Sequence, residues 1–218
     1  LLITLPSHAL QVSVSPTETL EIAERSAVVK IDGKLDEAVW ASLDQYDEFV
    51  VIEPDTLVKP AHATWVSLFY NQLGLYVGVQ VQQPPETRIA RLSSRDNRQI
   101  KRDSVGMVLD TSGEGRYGYW FGINLGDAQM DGTLLPEKQF TSDWDGAWEG
   151  ATSETQTGWA AEMFIPWGVV SMPKQAGARR IGLYMERFVA YKDERWSWPA
   201  LPDTVPQFIS ALQSVSVK

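Results

Sequence analysis

Cysteine is absent from the 218 residues. That excludes disulfide scaffolds, Cys-zinc sites, thiol catalysis and iron–sulfur clusters. Histidine is nearly absent too: His8 and His62 are the only two, so a multi-histidine metal site cannot be built and a Ser-His-Asp triad would have to use His62. That residue stands in Lys59-Pro-Ala-His-Ala-Thr64, at the entrance to a strand pattern, and no G-x-S-x-G accompanies it. There is no H-E-x-x-H, no G-x-x-x-x-G-K-[ST], and no G-x-G-x-x-G opening a helix. Gly113-Glu-Gly115 reads instead as turn chemistry. Positive charge is in deficit, with 19 basic against 28 acidic residues, a net charge of −9 and a pI near 4.7. Nucleic acid and anionic membrane surfaces are thereby disfavoured as partners. No apolar run approaches the roughly 20 residues of a transmembrane helix. Long helical patterns are missing as well, which removes parallel βαβ units.

What remains is an ordinary globular composition, 44% hydrophobic and 22% charged, at a length suited to one domain with a sizeable core. The charge is segregated. Residues 103–162 hold eleven acids and two bases, so the whole net charge of −9 lies there. Just before it, residues 88–102 carry six bases against Asp96 alone. These segments read as complementary solvated loops or as a polar, cation-binding rim. Within the acidic stretch, Asp127, Asp131, Asp143 and Asp145 crowd into loops with Glu137 and Glu149. Oxygen donors of this kind suit Ca²⁺, although the EF-hand spacing fails after Asp143-Trp-Asp-Gly146. Many acids are available for a glycosidase pair, but sequence alone does not pair them.

The N-terminus reads as the tail of an export signal. Leu1-Leu-Ile-Thr-Leu5 is apolar, and Ser7 and Ala9 fit a small-x-small cleavage pattern. The expected organisation is a leader remnant over 1–9, an arm over 10–25 and a single domain over 26–218, in a periplasmic, outer-membrane-associated or secreted protein.

Period-two alternation recurs along the chain. It predicts strands at 26–31, 64–70, 75–81, 103–110, 117–124, 145–155, 159–165, 180–190 and 208–217. Short helical pieces are expected at Leu35–Trp40 and after Pro166. The expected class is all-β, an antiparallel jelly-roll-like β-sandwich with one or two short helices. Nine tryptophans stand out in it. Trp and Tyr offer flat faces for the apolar side of a sugar ring. Trp196 and Trp198 share a face if their segment is extended, and their polar, Pro-rich surroundings suggest exposure. Trp144 and Trp148 sit similarly among acids and glycines, whereas Trp40, Trp65, Trp159 and Trp167 read as core.

Three motifs together resemble family 9 carbohydrate-binding modules. Ile31-Asp-Gly-Lys-Leu-Asp-Glu-Ala-Val-Trp40 is similar to their I-D-G-x-L-D-E-x-x-W opening, Asp103-Ser-Val-Gly-Met-Val-Leu-Asp110 to their D-x-V strand, and Gly158-Trp-Ala-Ala-Glu-Met-Phe-Ile-Pro-Trp167 to their E-x-x-I-P-W segment. Arg95-Asp96 and Phe121-Gly-Ile-Asn124 through Asp131 resemble a subgroup found at the N-terminus of larger bacterial envelope proteins. The resemblance implies a non-catalytic sandwich that binds oligo- or polysaccharide, often with bound Ca²⁺, followed here by a covalently linked C-terminal region. It implies a sugar stacked between two tryptophans, with Trp196 or Trp198 as one clamp and Arg95, Asp96, Asn124 and Arg187 among the polar partners. The other clamp belongs shortly before the D-x-V strand, where residues 96–102 hold no aromatic, and the Glu expected after D-x-V is Gly106. Arg95, Asp96, Asp103, Asp131 and Arg187 also read as a salt-bridge or ion-binding network. Competing expectations are an interaction or plug-like domain of an outer-membrane protein, a haem-binding electron-transfer domain and part of a glycoside hydrolase.

Overall fold

The computed structural model describes residues 18–174, 177–202 and 204–218. The leader expected over 1–9, with His8, and the first half of the arm lie outside them. Fourteen strands are present among the described residues: β1 Leu20–Glu21, β2 Ala23–Glu24, β3 Val50–Glu53, β4 Thr64–Tyr70, β5 Gly74–Gln82, β6 Ser104–Asp110, β7 Gly118–Asn124, β8 Gln129–Leu135, β9 Gln139–Thr141, β10 Glu149–Glu154, β11 Gly158–Pro166, β12 Arg179–Val189, β13 Glu194–Trp198 and β14 Gln213–Val217. They form a β-sandwich. One sheet, here sheet A, runs β1-β14-β12-β6-β7-β8-β9, with β13 beside the C-terminal half of β12 and β3 beyond it. Sheet B runs β10-β11-β5-β4-β2. All pairings are antiparallel except β1 with β14 and β2 with β4. Residues 20–24 thus join both sheets.

The core lies between the sheets and follows from the alternation. Val77, Val79 and Val81 of β5 face Met107 and Leu109 of β6 and Phe121 and Ile123 of β7, all buried. Yet β5 is buried on both faces, because a second layer covers the outside of sheet B. There Phe69, Tyr76 and Phe164 form a cross-strand aromatic ladder at 4.5 Å spacing. Residues 27–43 lie over it, with Val29 and Trp40 buried and Ala27, Ile31, Leu35 and Val39 packed alongside. A Cβ on Gly78 would meet the Trp40 ring at 2.9 Å, so the ring needs that glycine.

This layer corrects the expected strand at 26–31. The alternation is real, but its apolar side packs on a sheet face instead of pairing with an edge. The expected helix at Leu35–Trp40 is a turn leading into a single 3₁₀ turn at Trp40–Ser42. After Pro166, likewise, only Trp167–Val169 forms a 3₁₀ turn. Among the described residues no helix is long and apolar enough to cross a membrane. The outer face of sheet A is covered only in part: Leu201, Phe208, Ile209 and Leu212 pack on Ile52, Val108, Leu134 and Tyr184. The rest of that face is open.

Candidate functional site

The open part of sheet A holds a groove of about 730 Å³, walled by residues 97–102 on one side and by β13 on another. Trp120 of β7 forms its floor. The ring lies against the sheet: a Cβ on Gly122 would stand 2.5 Å from its six-membered ring, and one on Gly106 would stand 3.3 Å from its Nε1. Trp120 Nε1 donates to Glu186 Oε1 at 2.9 Å. The other oxygen, Oε2, accepts from Arg195 Nη1 at 3.0 Å, and Arg195 Nε reaches Glu53 at 3.3 Å. The Glu186 charge holds the Arg195 guanidinium above its usual range. Phe140 stands edge-on to Trp120, with ring centres 5.7 Å apart at 90°. The Arg98 guanidinium lies over both, 3.5 Å from the Phe140 centroid and 4.6 Å from that of Trp120. Apolar faces ringed by planar polar groups suit a ligand with one hydrophobic face and a polar edge, the chemistry of a pyranose.

The residues singled out from sequence lie elsewhere, in three places. Trp196 and Trp198 do share a face, but it is the inner one. Their register partners on β12 are Arg187 and Met185, both inward-facing positions. Trp196 is 0% exposed, lies 4.6 Å from the Arg187 guanidinium, and donates from Nε1 to Glu194. Trp198 is 5% exposed and stacks on Tyr46 at 4.9 Å. The expected exposure of this pair is therefore corrected. Polar neighbours surround Trp196 because β13 borders a buried polar cluster, not because it faces solvent.

That cluster is the second place. Arg187 is fully buried and donates Nη1 to Ala63 O and Thr64 Oγ1, and Nη2 to Gln82 O and Gln83 Oε1, at 3.0–3.1 Å. Burial pushes its pKa down to about 10, against the pull of Asp103. Asp103 accepts from Gln83 Nε2, Ile89 N and Ala190 N at 2.7–2.9 Å. The result pins β12 of sheet A to the ends of β4 and β5 in sheet B.

Arg95, Asp96 and Asp131 form the third place, a separate knot. Asp131 Oδ2 accepts from Arg95 Nη2, from Trp148 Nε1 at 2.8 Å and from Gly146 N at 3.3 Å. Burial, the largest influence, raises its pKa. Asp96, in the left-handed region at φ 59°, accepts from Asp131 N, and Arg95 also pairs with Asp145 at 2.9 Å. Asn124 is buried and donates Nδ2 to Ala128 O, closing the turn before β8.

Calcium does not fit the acids proposed for it. Asp127 Oδ1 is engaged by Thr152 N and Oγ1, Asp131 and Asp145 both pair with Arg95, and Asp143 is exposed. Near them Asp131 Oδ1 and Asn124 Oδ1 are the buried side-chain oxygens that lack a hydrogen bond among the described residues. Among the described residues no group of three or more His, Cys, Asp or Glu is placed to hold a metal ion. The Glu137 side chain lies outside the description.

No family model matches the chain, and no curated protein matches it. Solved structures do. A family 9 carbohydrate-binding module from Caldicellulosiruptor kristjanssonii superposes at a TM-score of 0.63 in its complex with cellotriose, with 15% identity over 92% of this chain and 94% of that one. Its glucose complex gives 0.64 and 16% identity over 92% and 96%. A candidate carbohydrate-binding protein from Bacteroides uniformis gives 0.69 and 13% identity over 93% and all of that chain. The fold is that of a family 9 carbohydrate-binding module.

The groove borders both positions at which the sequence departs from the motifs it resembles. Arg98 comes from the 96–102 segment that lacks the second clamp aromatic, and it lies on the Trp120 and Phe140 rings. Above Gly106, the carboxylate comes from the neighbouring strand: Glu186 is its register partner, and its Oε1 would lie 3.1 Å from a Cβ there. Sequence reasoning missed Trp120, Phe140, Glu186 and Arg195. One usable signal existed for Trp120, a tryptophan flanked two residues either side by Gly118 and Gly122. On a strand those glycines share its face and leave a ring room to lie flat.

Proposed function

We propose that this chain is a non-catalytic carbohydrate-binding module whose sugar lies in the sheet A groove. The observation that carries it is Trp120, laid against two glycines with its Nε1 fixed by Glu186, so that an aromatic surface is preorganised beneath charged hydrogen-bonding groups. The resemblance to modules solved with glucose and cellotriose supports the same ligand class. Preorganisation matters because binding then forfeits little side-chain freedom. The two acids of the groove are both engaged, Glu186 by Arg195 and Asp193 by Lys101 at 2.7 Å, which favours binding over acid–base catalysis.

Titration calorimetry against glucose, cello-oligosaccharides and a wider glycan set tests this. Trp120→Ala, which removes only outer-face surface, is expected to weaken binding at least about tenfold, the equivalent of roughly 1.4 kcal/mol. Heat with no glycan, or undiminished affinity in the variant, would overturn it. Burial of Trp196 and Trp198 favours a second reading, an interaction domain of a longer envelope protein. Glycan-independent capture of that protein's remaining region, with no sugar binding, would favour this one.

A further inference from the structure

The groove is electropositive in a chain of net charge −9: five cations line it against two acids. Both acids are neutralised locally, Asp193 by Lys101 and Glu186 by Arg195. Two guanidiniums make no ion pair among the described residues, although Glu186 and Asp96 act on Arg98 through space. Arg98, exposed on the wall, stacks on Phe140 and Trp120 and takes part in no ion pair among the described residues. Arg102 is more unusual. It is 3% exposed, its Nη2 donates to Asn97 O at 2.7 Å and approaches Met130 Sδ, and its Nη1 is buried with no partner at all. Burial lowers the pKa of Arg102, and no acid is near enough to oppose the effect.

A buried cation with no anion is costly, and proteins ordinarily pair it. Here the missing anion is not supplied by the described residues, while the guanidinium stands in a groove wall. The rim cation stacks on the very rings a sugar would use. A neutral sugar settling there leaves the Arg102 charge without a counter-ion. A sugar bearing a carboxylate supplies the counter-charge and presents it to the planar fork of Arg98, which the Phe140 and Trp120 rings hold in place.

We propose that the groove selects an anionic saccharide, one whose ring carries a carboxylate, with Arg98 as the contacting cation and Arg102 as the buried positive charge behind it. This rests on the groove being the sugar site. The whole chain is titrated with glucose, glucuronate, a galacturonate oligomer and acetate, at about 0.1 M and about 1 M salt, where the screening length falls from about 10 Å to about 3 Å. Uronates are expected to bind at least about tenfold more tightly than glucose at the lower salt and to lose most of that advantage at the higher. Arg102→Met should bring the uronate-to-glucose affinity ratio close to one. Should that buried substitution impair folding, Arg98→Met, on the exposed wall, gives the same readout. Glucose binding as tightly as glucuronate would overturn the anionic preference while leaving the sugar site standing. Acetate binding as tightly as the uronates would overturn the saccharide part. Silence from every sugar would instead sink the sugar reading itself.

Discussion

Arg187→Leu is expected to lower the melting temperature by on the order of 10 °C. Arg187 is 0% exposed and reaches four oxygens on sheet B. Leucine fills part of the volume but strands Thr64 Oγ1, leaves Gln83 Oε1 with only the Trp159 indole N–H, and leaves Asp103, also 0% exposed, facing no positive charge. Removing one partner from a buried charged network costs about 3–5 kcal/mol, and in a domain this size each kcal/mol moves the midpoint roughly 2–4 °C. Arg187→Lys keeps the charge, but a single ammonium does not span both Ala63 O and Gln82 O, so an intermediate loss is expected. The measurement separates two roles for this residue. Arg187 lies between the sheets and the groove lies outside them, so the folded Lys variant should bind sugar with unchanged affinity. A selective loss of sugar affinity at unchanged melting temperature would return Arg187 to the ligand-binding role implied by family resemblance.

The contrast between Arg187 and Trp120 shows what the sequence could carry. Strands with clean alternation were legible almost to the residue: 64–70 is β4, and 75–81, 103–110, 117–124, 159–165 and 180–190 match β5, β6, β7, β11 and β12 within a residue at each end. The strands that escaped were β1, β2, β3, β8, β9 and β13, and the strands expected at 145–155 and 208–217 shorten to β10 and β14. In β8, Asp131 and Gly132 interrupt the apolar pattern, yet both are buried, with Arg95 and Trp148 reaching the Asp131 Oδ2 oxygen from other loops. Partners so distant in sequence leave no periodic trace. The tryptophans show the same limit. Spacing tells that Trp196 and Trp198 share a face, but a period of two does not say which face is inside. Register against β12 decides that, and it also places Glu186 over Gly106. The site was therefore illegible in detail: it is assembled by sheet register across β6, β7 and β12, while the conspicuous charged motifs serve the two buried networks.

Stability should fall as pH rises through about 7, and Glu162→Gln should flatten that slope. Glu162 joins the two most specific sequence motifs. Its Oε2 accepts from Asp32 N and Gly33 N at 3.0 and 2.9 Å, and its Oε1 from Trp40 Nε1 at 3.0 Å, so the E-x-x-I-P strand latches the I-D-G-x-L-D-E-x-x-W segment over sheet B. Gly33 is required at the latch: its φ is 80°, and a Cβ would lie 2.4 Å from the Thr152 carbonyl carbon. Burial pushes the Glu162 carboxyl up to about 7, with Glu37 adding to the rise and the three N–H donors opposing it. Its folded pKa thus exceeds its unfolded value of 4.5, and the native state holds a proton that the unfolded chain has released. The contribution is complete below pH 4.5 and is lost as pH climbs through about 7. At about 1.4 kcal/mol per unit, the loss amounts to roughly 3 kcal/mol. Glutamine does not titrate, so denaturant midpoints of wild type minus variant, taken across this range, isolate the residue from other carboxylates such as Asp131. Glu162→Ala should be destabilised by a few kcal/mol at every pH, because three buried donors lose their acceptor. Parallel pH profiles for wild type and Glu162→Gln would mean that the donors outweigh burial and keep Glu162 ionised.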